Sequence, residues 1–379
     1  MKILYIGNAD SVFLYETVRR VKAQRPDYRI DILNVSPRKN DNDYSALGVN
    51  ISQIGGSRLL AVRLLRGLTL AHLIKQSLRF LPDDYDYVHL EYITPWLGLA
   101  AATLKRKGSL ICSFWGSELL CGTRLHALLQ RRLIHSAYRV TLYTEQMRRI
   151  FTRKFGSEYN GKVCNIGFGT NALDEIDELE SAGGAAEAKR RMNVPADKIL
   201  VVCGGNATAS QQHKMILQAA CGLDEAIRNR MYFIMQMSYG ASPHYLDRIK
   251  NAFAASGLQG RVLTGFMDWR GVASLRLAAD IFVFMQKADG FSSALREHLY
   301  AGSVPIIGSW LRYEALSGSA YYRTASTPRE LAGALAAVAD NLAAEKRLCL
   351  ANRALISECY TWNSVAEKLV CLYERHGQL

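Results

Sequence analysis

The sequence predicts an α/β protein made of two doubly wound parallel-sheet domains. Three observations carry that expectation. First, "MKILYIGNADSVFLYETVRRV" and "DKILVVCGGNATASQQHKMILQAA" lie in different halves of the chain and begin alike: an apolar run, a glycine turn, then an amphipathic helix. Second, short apolar runs alternate with helical stretches after each of these starts, the pattern of buried strands joined by crossover helices. Third, 379 residues exceed most single cores and suit two domains of ordinary size.

Taken in order, the strands expected in the first half after the opening run closed by Gly7-Asn8 are Tyr87–Leu90, Leu110–Ser113 and Val140–Tyr143. In the second half they are Lys198–Cys203, Tyr232–Met235, Arg261–Thr264, Ile281–Phe284 and Val304–Ile307. Each is too short for a helix and is bounded by turn residues. The stretch "TNALDEIDELESAGGAAEAKRRMNVPADK" is acidic and glycine-broken, with Pro195 just before the next strand. It marks the boundary. The expected domains are therefore 1–170, a linker and entry helix at 171–197, a second sheet domain at 198–360, and a closing helix at 361–379. Ligands of such sheets bind beyond the carboxyl ends of the strands, and two sheets facing each other would enclose a cleft.

Composition excludes several classes. With 49% hydrophobic and 21% charged residues the chain is neither disordered nor fibrous. No apolar run approaches the roughly 20 residues of a membrane span, and "MKILYIGNADS" reads as a strand and turn rather than a signal peptide. Eight cysteines without a C-x-x-C pair, mostly in apolar contexts, point to reduced thiols in a cytoplasm. The net charge of +13 is uneven: residues up to Thr170 hold 25 Lys+Arg against 13 Asp+Glu, and the rest is nearly neutral. An anionic partner is expected on the first domain.

The second half carries the chemistry-bearing segments. Gly204 and Gly205 lack the Cβ atoms that keep a backbone away from an anion; the alternative is a plain tight turn. Lys214, near the start of the next helix, would add a positive charge. In "DGFSSALREHLYAGSVPIIG", Asp289 and Glu297 flank a strand-to-helix turn of the kind that points amides at an anion. The two carboxylates suit hydroxyl groups on either side of a diphosphate; the plainer reading is a capped amphipathic helix. In the first half, Gly7 and Asn8 close the first strand. "LICSFWGSELL" places Trp115 and Glu118 at a turn, and "YVHLEYITPWLG" places His89 and Glu91 at a strand end.

Together these segments resemble the GT-B glycosyltransferases, in particular bacterial enzymes of glycosyltransferase family four. The family's Glu-x7-Glu motif is matched with Asp289 as the first carboxylate and Glu297 as the second. "CYTWNSVAEKLVCLYERH" is similar to the closing helix that braces the first domain, and "EAKRRMNVPADKILVVCGG" to the entry into the second. "FWGSELL", "GGNATASQQH" and "MQMSYGASPHYLDRIK" resemble fucosamine-type transferases of enterobacterial common antigen synthesis. The chain departs from the family at Asn206, near the place of an arginine, and at Trp115, which aligns with a histidine.

The resemblance implies transfer of a sugar, with retention, from a nucleotide-sugar to a lipid-pyrophosphate-linked or polysaccharide acceptor in bacterial surface glycan synthesis (lipopolysaccharide O-antigen, capsule or exopolysaccharide). Asp289 would hold sugar hydroxyls and Glu297 the ribose diol. Gly204, Gly205, Asn206 and Lys214 would cradle the diphosphate, helped by Arg296 and the turn Gly290, Phe291, Ser292 and Ser293. Gly7, Asn8, Glu91, Trp115 and Glu118 are acceptor-side candidates. No metal or other cofactor is expected, since no His/Cys ligand cluster is evident and the nucleotide-sugar is a co-substrate. Residues 57–81 hold Arg58, Arg63, Arg66, Lys75 and Arg79, interleaved leucines and no acidic residue. That composition predicts a segment lying on an anionic membrane, hence a peripheral protein on the inner face of the cell membrane; the alternative is a buried crossover helix, which would show a cleaner polar face with both signs of charge. Nucleic-acid binding would explain the basic half but leave Asp289 and Glu297 idle. A catalytically degenerate nucleotide-sugar binder and a sugar-nucleotide epimerase remain as alternatives.

Overall fold

A computed structural model describes residues 1–36, 42–62, 65–120, 123–240, 242–316, 318 and 320–374. The chain divides into two compact units, Met1–Gly169 with Trp362–Leu379, and Thr170–Thr361.

The first unit holds seven strands: β1 (Lys2–Gly7), β2 (Arg29–Asn34), β3 (Asn50–Gln53), β4 (Tyr87–Glu91), β5 (Ser109–Ser113), β6 (Arg139–Leu142) and β7 (Val163–Asn165). They form one parallel sheet in the order β3-β2-β1-β4-β5-β6-β7. Both faces are covered, so the central strands read as continuous apolar runs. On β1, Leu4 and Ile6 enter the core shared with helices Arg66–Leu78 and Glu145–Phe155, while Ile3 and Tyr5 enter the core on the other face. That second face is closed by helices Val12–Gln24 and Trp362–Glu374. The last helix is tied down by specific bonds as well as by burial. The Tyr373 hydroxyl lies 2.6 Å from the Tyr5 hydroxyl and 2.6 Å from His89 Nδ1, and Arg20 donates to Asn363 over 3.0 Å.

The second unit holds six strands: β8 (Ile199–Cys203), β9 (Met231–Met237), β10 (Gly260–Thr264), β11 (Ile281–Phe284), β12 (Val304–Gly308) and β13 (Arg323–Ala325), all parallel, in the order β10-β9-β8-β11-β12-β13. On β8, Val201 and Cys203 face one core while Leu200 and Val202 face the other. Residues 171–197, read as a linker and entry helix, contain two helices. Helices Leu173–Ser181 and Gly184–Arg191 belong to the second core, because Leu173, Ile176 and Leu179 recur on one helical face and bury there with Ala188.

Strand order reverses between β1 and β4 in the first sheet and between β8 and β11 in the second. These are the switch points, where two loops leave in opposite directions and open a crevice at the carboxyl edge.

Candidate functional site

In the second unit the crevice lies between the turn after β8 and the turn after β11. Gly204 has φ +71°, a conformation that L side chains rarely adopt. Its amide donates to Val283 O over 2.9 Å, which pins the turn to β11. A Cβ on Gly205 would lie 3.3 Å from Ala294 Cβ, so this turn sits directly on the first turn of helix Ser293–Ala301. The Gly205 amide donates to Gln211 Oε1 over 3.3 Å, and Gln211 in turn donates to Gln286 beyond β11. Asn206 shapes the same loop: its Oδ1 accepts from the Thr208 amide at 3.0 Å and the Thr208 hydroxyl at 2.7 Å. Helix His213–Cys221 presents His213, not Lys214, to the glycine turn. Lys214 is exposed, whereas the buried His213 ring places Nε2 3.0 Å from where a Gly204 Cβ would stand. Tyr245 lies 3.0 Å from its Nδ1, and burial pulls the ring down to about 4, so it is neutral.

The turn after β11 is organised by Asp289. Its Oδ2 accepts from the Phe291 amide at 3.0 Å, the Ser292 amide at 2.9 Å and the Tyr313 hydroxyl at 2.8 Å. Phe291 is buried at φ +73°, a strained conformation that these bonds hold in place. The amides of Phe291 and Ser292, expected to face a diphosphate, are therefore engaged by Asp289. Gly290 is exposed, and nothing stands within 4 Å of an added Cβ. Ser292 is the N-cap, and Ser293 Oγ accepts from the buried Arg296 over 3.1 Å, with the guanidinium 5.5 Å from the Tyr360 ring.

Glu297, expected to offer its carboxylate to a ribose diol, lies almost wholly enclosed. It is 3% exposed, and its Oε2 accepts from Arg276 Nε at 3.0 Å. Arg276 is equally buried and also reaches Gln236 Oε1 at 2.7 Å and His298 Nε2 at 3.0 Å. The sequence gives no sign of this cluster, because Arg276 lies on a different helix (Trp269–Ala278) and reads as a solvated helix arginine. Tyr313 and His213 escape sequence reasoning for the same reason, and so do Tyr239 and Phe266, aromatic rings exposed just past the ends of β9 and β10.

In the first unit, Glu91 ends β4 at the switch point. A Cβ on Gly7 would stand 3.0 Å from Glu91 Cβ, so the glycine at the end of β1 makes room for the carboxylate. Glu91 Oε2 accepts from Trp115 Nε1 at 2.8 Å. Burial, opposed by that bond and aided by nearby Glu118, raises the Glu91 carboxyl to about 7. Trp115 is ringed by Phe13, Tyr92 and Phe168 at 5.4 to 5.9 Å between centroids. Glu118 faces inward: it is buried and accepts from the amides of Trp115 and Gly116, so it caps the turn instead of facing a ligand. Asn8 also shapes a turn, accepting from the Asp10 amide over 3.1 Å. His89 is fully buried between Tyr373 and Ser113, and burial depresses it to about 3. It is a structural group.

The described residues contain no cluster of three or more His, Cys, Asp or Glu arranged to hold a metal. The sequence does contain the triplet Asp84-Tyr85-Asp86, but it precedes β4 at the amino edge, where Lys2 pairs with Asp84 and donates its amide to Asp86 over 2.7 Å.

Residues 2–151 match the family model described as glycosyl transferase 4-like. Among curated proteins, none matches the chain in sequence. Among solved structures, the Anabaena protein HepE in complex with UDP and glucose is similar over 100% of both chains, with 13% identity and a TM-score of 0.71. Sucrose-phosphate synthase from Thermosynechococcus elongatus is similar over 99% of both chains, with 15% identity and a TM-score of 0.74. A UDP-forming trehalose-phosphate synthase from Burkholderia xenovorans aligns over 98% of both chains, with 11% identity and a TM-score of 0.67. The chain therefore has the GT-B glycosyltransferase fold, and its residues 2–151 match a glycosyl transferase 4-like family model.

Proposed function

We propose that the protein transfers one sugar, with retention, from a nucleotide-sugar to a lipid-pyrophosphate-linked or polysaccharide acceptor of a bacterial surface glycan. One observation carries the reading: the Gly204–Gly205 turn rests on the start of helix Ser293–Ala301, beside a carboxylate that has shaped its own turn. That arrangement offers the start of helix Ser293–Ala301 to an anion, with a hydroxyl acceptor alongside and the glycine turn packed against it. Asp289 spends Oδ2 on the turn, and among the described residues Oδ1 has no hydrogen-bond partner; it is the atom assigned to the sugar hydroxyls. Glu297, anchored through Oε2 by Arg276, keeps Oε1 for the ribose diol. Catalysis then consists of positioning and of stabilising the departing nucleoside diphosphate with fixed dipoles, and no protein nucleophile is required. In the first unit, Glu91 beside Trp115 takes the acceptor side. HepE is described in complex with UDP and with UDP-glucose, which favours a nucleoside-diphosphate donor.

A nucleotide-sugar panel scored by thermal shift tests the donor assignment. Saturating binders should raise the unfolding midpoint by mass action, by about 2.7 kcal/mol of apparent stability at a hundred times Kd. A flat response to uridine, guanosine, thymidine and cytidine diphosphate sugars would refute it. Turnover should also proceed without a divalent ion. Activity is expected to survive thorough chelation with EDTA; loss that magnesium or manganese restores would contradict the mechanism.

No described helix is long and apolar enough to cross a membrane. Residues 57–81 supply the proposed contact with the inner leaflet. They form a short turn (Arg58–Ala61) and helix Arg66–Leu78, with Arg63 and Leu64 lying outside the described residues.

A further inference from the structure

We infer that the first unit meets anionic lipid through a composite face, in which the start of helix Arg124–Ser136 is joined to residues 57–81. The inference rests on the lipid-side reading above and extends it to a second element.

Helix Arg66–Leu78 buries Gly67, Ala71, Leu73, Ile74 and Leu78 against the unit, so it has an inner face. Its leading edge does not follow. Leu59 is 49% exposed and Leu68 48%, and Val62 and Leu65 are exposed as well. Helix Arg124–Ser136 behaves the same way: Leu129, Leu133 and Ile134 are buried, while Leu125 and Leu128 are each 55% exposed. Five solvent-facing leucines at or just before two helix starts are poor use of apolar surface in water.

The two starts meet on one tryptophan. Residues Pro95–Ala100 form a turn between them. The Trp96 indole occupies the space that a Cβ on Gly67 would take, and its ring lies 6.0 Å from the His126 ring. On the other side of the turn, the carbonyl of Leu129 occupies the space of a Cβ on Gly98. Two glycines thus let three segments close up, with Leu68 next in the chain to Gly67 and Leu125 next to His126.

Charge decides the occupant. Neither 57–81 nor 123–136 contains an aspartate or glutamate. Arg58, Arg66, Arg79, Arg124 and Arg132 are all exposed. A nucleic acid would satisfy these arginines and leave the leucines in water. An anionic bilayer takes both, since leucines enter the headgroup boundary while arginines hold phosphate.

The test uses the whole chain, co-sedimented with phosphatidylglycerol–phosphatidylethanolamine vesicles and with phosphatidylcholine vesicles. The unaltered protein should bind the first and not the second, and release as salt rises. Leu125→Gln with Leu128→Gln should lower partition by about tenfold or more, as should Leu59→Gln with Leu68→Gln, because either half alone is a single weak anchor. An unchanged thermal midpoint certifies that the fold is intact. Should the leucine pair disturb it, Arg124→Gln with Arg132→Gln is the second probe and should lower partition at moderate salt. Binding that neither 124–132 variant alters overturns the composite face while leaving residues 57–81 as the anchor. No binding to anionic vesicles, or equal binding to neutral ones, overturns both. Tight retention on duplex DNA without vesicle binding would assign the face to nucleic acid.

Discussion

Replacing Glu297 with alanine should destabilise the second unit by about 3–5 kcal/mol, the usual result of leaving one member of a buried ion pair alone. Arg276 and Glu297 are each 3% exposed, and the remaining partners of Arg276 are Gln236 and His298. Burial, followed by the nearby guanidinium, drives the His298 pKa well below its ordinary value, so neither partner can replace the lost negative charge. For a unit of this size the thermal midpoint should fall on the order of 10 °C. Glu297→Gln keeps an acceptor for Arg276 and should fall by less. Glu297→Met combined with Arg276→Leu should recover much of the loss, since a buried pair is often replaceable by apolar groups though not by half of itself. An alanine variant that melts within a degree or two of the parent would show that the pair is not closed as described. Activity lost in that variant is therefore ambiguous, and Glu297→Gln is the variant for testing the ribose contact.

Asp289→Ala should lower transfer about a hundredfold or more, through kcat rather than through nucleotide affinity. Oδ2 gathers two amides and a hydroxyl around a residue, Phe291, whose φ of +73° would otherwise relax. Removing the carboxylate takes away the contact with the sugar hydroxyls and releases a strain of roughly 1–3 kcal/mol in the turn. Asp289→Asn retains an oxygen for the amides and should lie between parent and alanine. Tyr313→Phe removes one of the three donors and should slow transfer modestly. Steady-state kinetics against the donor would check the split. A change confined to KM, or parental rates in Asp289→Ala, would remove Asp289 from the reacting end of the site.

The parallel sheets were legible because their central strands are buried on both faces. Ile199–Cys203 and Ile281–Phe284 read as continuous apolar runs, and little else has that pattern. The edges were not. Asn50–Gln53, Val163–Asn165 and Arg323–Ala325 are three or four residues long, the first and last largely polar, and β2 carries a buried Asp31 that breaks the pattern. At the site, spacing along the chain picked out Asp289, Gly204 and Gly205, because turn chemistry is local. It could not show that Arg276 neutralises Glu297 or that Tyr313 holds Asp289, since those partners come from elements distant in sequence. Nor could it tell His213 from Lys214, neighbours on one helix of which only the first turns inward.

The most direct measurement follows sugar from donor to product. The protein is incubated with the nucleotide-sugar that gives the largest thermal shift and with a pyrophosphate-lipid extract, and the lipids are analysed by mass spectrometry alongside release of nucleoside diphosphate. The site described here predicts a lipid heavier by one sugar residue, formed in the presence of EDTA, matched one-for-one by nucleotide release, and nearly absent with Asp289→Ala. Binding of the nucleotide-sugar with neither a heavier lipid nor acceptor-dependent nucleotide release, across lipid-linked and polysaccharide acceptors alike, would contradict transfer and leave a protein that only binds its donor.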